Sequence, residues 1–157
     1  MDISLKEVDF RNPDLLHLIT KLDQYLYEIY PADEVFGVDF SDPRIAEIIF
    51  VIAYDSDVPV GCGAIRRVDH DVVELKRFFV EVDYRKRGIA GKILRYLEER
   101  AINLNYGVIR LETGAPQSES IYFYKKHGYT EIERYGEYVA CESSLCYEKQ
   151  LSSSEDL

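Results

Sequence analysis

The chain has too few cysteines for a disulfide framework. Cys62, Cys141 and Cys146 are the only ones in 157 residues, and no two form a Cys-x-x-Cys pair. No apolar run approaches the roughly 20 residues needed to cross a bilayer. The start, Met1-Asp2-Ile3-Ser4-Leu5-Lys6-Glu7, lacks a signal-peptide core. These absences predict a cytoplasmic protein with reduced thiols and no membrane partner. No internal repeat and no Pro/Gly/Ser-rich linker divides the chain, so residues 1–151 read as a single domain. Residues 152–157 read as a disordered polar tail. Positive charge is also scarce, with 19 basic residues against 29 acidic and a net charge of −10. That balance argues against a nucleic-acid binder.

Two common phosphate-binding motifs are missing as well. There is no G-x-x-x-x-G-K-[ST], and Gly61-Cys62-Gly63 continues as Ala64-Ile65-Arg66 rather than completing G-x-G-x-x-G. His17, His70 and His127 lack metal-ligand spacing, so no metal is expected. Cys62, in an apolar strand, reads as a core residue.

Periodicity supplies the element order. Ile3 to Val8 reads as a strand. Asn12-Pro13 then reads as an N-cap with proline at the first helical position, and Leu15, Leu18, Ile19, Leu22, Leu26 and Ile29 recur at helical spacing. A short helix is expected near Pro43 to Glu47. The apolar run Ile48 to Tyr54, the segment Val58 to Val68 and the segment Val72 to Val80 form a meander across two turns. A helix over Gly88 to Asn103, a strand over Val108 to Thr113 and a helix over Ser118 to His127 follow. Strands over Tyr129 to Glu133 and Ser144 to Lys149 complete the chain. The order β-α-α-β-β-β-α-β-α-β-β makes this an α/β (α+β) protein with a mixed sheet between helices.

The negative charge is unevenly distributed. Residues 76–100 hold eight basic and four acidic residues, a local +4, which leaves −14 for the remainder. Inside this segment a strand ends and Arg85-Lys86-Arg87-Gly88-Ile89-Ala90-Gly91-Lys92 opens a helix with small residues. A helix N-terminus offers unpaired N–H groups and the positive end of the macrodipole, so a phosphate can approach such a turn closely. A glycine that merely starts a helix beside solvated basic residues is the other reading of the same residues.

Arg85-Lys86-Arg87-Gly88-Ile89-Ala90 resembles the [Q/R]-x-x-G-x-[G/A] signature of the GNAT superfamily of N-acetyltransferases. The stretch Gln117-Ser118-Glu119-Ser120-Ile121-Tyr122-Phe123-Tyr124-Lys125-Lys126-His127-Gly128-Tyr129 is similar to the family segment N-x-x-A-x-x-[FL]-Y-x-x-x-G-[FY]. Gln117 and Ser120 depart from the commonest Asn and Ala. The resemblance covers residues 48–150 well and the first 47 only by element order. It implies a mostly antiparallel central sheet flanked by helices, with acetyl-CoA as donor. Its pyrophosphate would be held by Arg85, Lys86, Arg87, Gly88, Ile89, Ala90, Gly91 and Lys92. The pantetheine arm would lie along the open strand edge at Phe78, Phe79 and Val80, beside Gln117.

By the same resemblance Tyr124 is the general acid at the departing thiolate, and the Val80 N–H meets the oxyanion. Glu74 takes the place of the base, with Glu112 or a water chain as alternatives. The other reading of Tyr124 is a packed aromatic, and that of Glu74 is a partner for Lys76 or Arg110. Two acidic and aromatic segments, one with Tyr27, Tyr30, Asp33, Glu34, Phe36 and Asp39 and the other with Glu133, Tyr135, Glu137, Tyr138 and Glu142, occupy positions that often line the acceptor site in such folds. They place Tyr30, Phe36 and Tyr138 as substrate-binding residues, with Glu112 of the adjacent strand beside them, and suit a small cationic amine, by charge attraction and cation–π contact. A solvated acidic surface is the alternative. The expected activity is direct transfer of an acetyl group from acetyl-CoA to a primary amine, by a monomer or a homodimer whose C-terminal strand edge is exposed. The competing readings are a non-catalytic acyl-CoA-binding module and a protein N-acetyltransferase.

Overall fold

A computed structural model describes residues 1–152; Ser152 is exposed and non-regular there, and the rest of the expected tail lies outside the described residues. Strand β1 (Ile3–Val8) leads to helix α1 (Pro13–Ile29). The Asn12 side chain accepts hydrogen bonds from the N–H groups of Asp14 and Leu15, which fixes the start of α1, and Pro13 needs no partner there. The expected short helix at Pro43–Glu47 is a 3₁₀ turn, too short for a stable α-helix and ended by the extended Ile48. Strands β2 (Ile49–Asp55), β3 (Val58–Arg67) and β4 (Val72–Val80) form the meander. Helix α2 (Ile89–Asn103), strand β5 (Val108–Gly114), helix α3 (Ser118–Lys126) and strands β6 (Thr130–Ile132) and β7 (Ser144–Gln150) follow.

The seven strands form one sheet in the order β1-β2-β3-β4-β5-β7-β6, antiparallel except for the parallel pair β4 and β5. The C-terminal strand β7 is therefore not the edge strand, because β6 pairs along its outer side from Thr130 to Ile132. Helix α1 covers one face through Leu15, Leu18 and Leu22 against Phe50, Ile52 and Cys62. Helices α2 and α3 cover the other through Ile93, Leu97 and Tyr124 against Val51, Leu75 and Leu111.

Two irregularities shape the middle of the sheet. The parallel ladder between β4 and β5 has only three rungs, Val72↔Val108, Val73↔Ile109 and Glu74↔Arg110, after which the strands part. On its other side β4 carries a bulge, because Cys62 pairs with Phe79 while Ala64 pairs with Lys76. Arg77 takes the extra place with φ +53°, a left-handed conformation that costs about 1–2 kcal/mol in a non-glycine residue. The insertion flips the following alternation. Phe78 joins the α2 and α3 side, Phe79 turns to the α1 side, and both Lys76 and Arg77 reach toward the α1 side. The Arg77 guanidinium pairs with Asp23 of α1 at 2.5 Å, and the Cys62 thiol donates to the Arg77 carbonyl at 3.3 Å. Burial lifts that thiol to about 12, so Cys62 serves the core.

Leu97 is fully buried, and its Cδ1 lies 3.0 Å from where a side chain on Gly63 would begin. Leu97→Ala should therefore destabilise the fold by about 3 kcal/mol. Leu104→Ala, at an exposed position, should change stability by under ~0.5 kcal/mol. Urea denaturation of both variants checks this.

Candidate functional site

The parting of β4 and β5 opens a crevice of about 110 Å³. Leu22 and Leu26 of α1 and Phe36 of the following loop close it on one side, and Ser120 and Tyr124 of α3 on the other. The parted strands form its walls, with Lys76 and Phe78 from β4 and Glu112 and Thr113 from β5.

Register determines which charges face each other across it. The last rung joins Glu74 to Arg110, so Lys76 and Glu112 each stand two residues further along on the same face. In a continuous ladder they would be neighbours. Here the strands have separated, and no carboxylate oxygen of a described residue lies within 4.0 Å of the Lys76 Nζ. Lys76, only 6% exposed, donates instead to the Tyr138 hydroxyl at 2.9 Å and the Phe36 carbonyl at 3.4 Å. Burial lowers its pKa below the usual lysine range. Glu112 is half-buried, accepts a hydrogen bond from Ser144 Oγ at 2.7 Å, and has its pKa raised by the same loss of solvent.

Glu74 occupies a different position. At 1% exposure it lies beneath the crevice and accepts from Arg66 at 2.6 Å, Tyr135 at 2.6 Å and Tyr138 at 2.8 Å. Three donors and deep burial leave it no approach to a substrate. It orients Tyr138, which accepts from Lys76 while donating to Glu74. Tyr138 also packs edge-on against Phe36, with ring centroids 4.9 Å apart.

Tyr124 projects from α3 into the crevice and is 7% exposed. Its hydroxyl makes no hydrogen bond among the described residues, and burial with the nearby Glu112 raises its pKa, so it stays protonated at neutral pH. The ring rests against Phe78 and Phe123. Tyr30, just past the end of α1, donates to Gln117 Oε1 at 2.9 Å, and burial pushes its phenol up to about 12. Its hydroxyl fills the space that a side chain at Gly114 would need, so β5 must end in glycine there.

Beyond the crevice lies the other candidate surface. Glu81 N–H donates to Val60 O on β3, so Val80 presents its own N–H to the edge that β5 has left. Helix α2 starts at Gly88 with φ +83° and no side-chain cap. Its first amide with an intrahelical acceptor is that of Lys92, which donates to Gly88 O at 3.2 Å. The N–H groups of Ile89, Ala90 and Gly91 therefore have no partner in the helix, and nothing stands within 4 Å of the Gly88 side-chain position. Lys86, Arg87 and Lys92 are exposed around this turn. Arg85 turns inward instead, donating to Val80 O at 2.9 Å beneath the rings of Tyr25 and Phe79.

The sequence-predicted residues thus divide into groups. Phe36, Phe78, Glu112, Gln117, Tyr124 and Tyr138 meet at the crevice, with Tyr30 held on Gln117. Residues 86–92 form the helix entrance. Phe79 faces the α1 core and Arg85 braces the turn. Of the acidic residues expected around an acceptor, Glu34 is held by Ser143 and Asp39 by Ser41. Lys76, Ser144 and Gly114 were missed as site residues. Three charged residues, Glu74, Lys76 and Arg77, inside a strand that is otherwise apolar were the one local signal for the first.

A profile of the Acetyltransferase (GNAT) family matches residues 12–129. An IAA acetyltransferase of Azospirillum brasilense is 33% identical over 138 residues, covering 87% of this chain and 90% of that protein. The N-acetyltransferase YsnE of Bacillus subtilis is 26% identical over 123 residues, covering 77% and 82%. Among solved structures, a Klebsiella pneumoniae protein named for acyl-CoA N-acyl transfer superposes with a TM-score of 0.84 at 24% identity, covering 96% of this chain and 98% of that one. A GNAT family acetyltransferase from Elizabethkingia anophelis, solved with acetyl-CoA bound, superposes with a TM-score of 0.69 at 17% identity, covering 96% and 99%.

The fit of Tyr30 over Gly114 can be measured by a double-mutant cycle. Gly114→Ala should cost about 2 kcal/mol in the native background and under half of that when Tyr30→Ala has emptied the space. Equal costs in both backgrounds, read by urea denaturation, would show that the two residues do not share it.

Proposed function

The chain belongs to the GNAT family of acetyltransferases, and we propose that it moves an acetyl group from acetyl-CoA directly to the primary amine of a small acceptor. One observation carries this reading: the crevice between the parted strands has, on one wall, a tyrosine hydroxyl without a hydrogen-bond partner among the described residues and, on another, a half-buried carboxylate. The acetyl-CoA bound to the Elizabethkingia anophelis relative supports the choice of donor.

The donor's pyrophosphate would rest on the free N–H groups of Ile89, Ala90 and Gly91, with Lys86, Arg87 and Lys92 supplying charge. Its pantetheine arm would run along the β4 edge at Phe78, Phe79 and Val80, an edge free of β5 beyond Glu74. Gln117 borders that path, and Arg85 holds the turn in shape by its bond to Val80 O.

The acceptor amine arrives protonated, drawn by the acidic remainder of the chain. Glu112 takes its proton, a role suited to a carboxylate whose pKa burial has raised toward that of its task. The free amine attacks the thioester carbonyl, forming the C–N bond while the oxyanion leans on the Val80 N–H. The C–S bond then breaks as Tyr124 gives its proton to the departing thiolate, and the nitrogen's second proton passes to the Tyr124 phenolate, which leaves a neutral amide and a reprotonated tyrosine. Tyr30, Phe36 and Tyr138 bound the acceptor's space. Glu74 acts one step removed, as a positioning residue for Tyr138 and, through it, for Lys76.

Tyr124→Phe removes only the hydroxyl and should lower kcat about 100-fold with acetyl-CoA affinity unchanged. Unaltered turnover across the pH range would remove Tyr124 as the acid. The rate should rise with pH as Glu112 deprotonates, and Glu112→Gln should erase that rising limb of the kcat/KM profile. Gly88→Glu has open space around it but strains the left-handed backbone by about 1–2 kcal/mol; it should abolish acetyl-CoA binding in calorimetry while a cooperative urea transition shows that the chain still folds. Unchanged affinity would sink the pyrophosphate assignment.

A further inference from the structure

The crevice contains an electrostatic arrangement that transfer to an amine does not require. Of the charged groups on this face of the sheet, most are already matched. Glu74 is paired with Arg66, Arg110 with Glu148, and Arg77 with Asp23. Two groups that line the cavity are left over. One is the ammonium of Lys76 and the other the carboxylate of Glu112, which face each other from the parted strands without an ion pair between them. A buried ammonium with no direct counter-charge is costly. A network of neutral partners retains it here, since Tyr138 and Phe36 O take two of its three protons and the third has no acceptor among the described residues. In the same wall, the buried Nε of Arg77 also has no hydrogen-bond partner among the described residues. Removing the charge would be the simpler solution for a purely structural residue, because a strand between two apolar layers accepts leucine or methionine at such a position.

We propose that the acceptor carries a carboxylate on the same small skeleton as its amine, and that Lys76 binds this carboxylate while Glu112 receives the amine's proton. The acceptor class is therefore the amino acids. Such a molecule would fill the gap that the parting strands create with the opposite charge at each end, so the buried Lys76 and the half-buried Glu112 each gain a charged partner when it binds. Acetylation cancels the charge at the amine end alone. The product keeps its carboxylate on Lys76 but loses its attraction to Glu112, which favours release. Lys76 is in this account a specificity residue, and the account rests on the acetyl-transfer reading above.

The test uses matched acceptor pairs, each an amino acid and the amine of the same skeleton without its carboxylate, with release of the CoA thiol as the readout. The native protein should show kcat/KM at least tenfold higher for the carboxylated member of the best pair. Lys76→Met should erase that preference by lowering only the carboxylated member, and Lys76→Arg should restore part of it. Equal rates for both members, or an equal loss for both in Lys76→Met, would overturn the carboxylate anchor and leave acetyl transfer standing. Acetyl-CoA binding with no transfer to either set would overturn the transfer reading and this proposal with it. If Lys76→Met does not fold, the matched-pair ratio of the native protein alone gives the answer.

Discussion

The three-rung ladder between β4 and β5 is the constraint on which the site depends. A parallel pair that continued past Glu74 and Arg110 would satisfy the backbone of both strands and close the sheet. It would also bring Lys76 and Glu112 together as an ordinary cross-strand ion pair. Because the ladder stops, the N–H of Val80 faces an open edge and the two side chains face a cavity. The bulge at Arg77 completes the arrangement by keeping two consecutive basic residues off the apolar α2 and α3 side. Its left-handed backbone is held by the ion pair to Asp23 and by the thiol of Cys62.

The same parting separates two kinds of chemistry. On one side lies the uncapped start of α2, with its free N–H groups and exposed cations, a surface suited to an anion that stays solvated. On the other lies a narrow crevice where each charge is either matched or shifted in pKa by its surroundings. The acid and base roles proposed for Tyr124 and Glu112 draw on those surroundings, since burial raises the pKa of both groups. Glu74 has the same side chain as Glu112 and a deeper burial, yet three donors commit it to structure.

The division of charge along the sequence needs the same correction. The +4 segment reads as one basic island, but its members separate in space. Lys76 and Arg77 go to the crevice, Arg85 braces a turn, and Arg100 pairs with Glu7 of β1. Lys86, Arg87 and Lys92 remain at the helix entrance. A strand residue two positions from its neighbour in sequence can face the same surface, while an adjacent one normally faces the opposite layer, so linear charge density is a poor guide to local field.

The elements themselves were legible in the residues, because the signals that specify them are local. The Asn12-Pro13 cap, the helical spacing from Leu15 to Ile29, the turns at residues 55–57 and 69–71, and the glycine that opens α2 all act within a few positions. So did the motif around Arg87 and the segment that carries Tyr124. The sequence by itself therefore determined the architecture, the family and the helix entrance. The tertiary structure decided which charges remain unmatched. Tyr30, Lys76, Glu112, Gln117 and Tyr138 are brought together by a parted ladder, a strand bulge and a glycine that yields its side-chain space. Each of those depends on partners far away in the chain, and burial gives each charge its meaning only once those partners are in place.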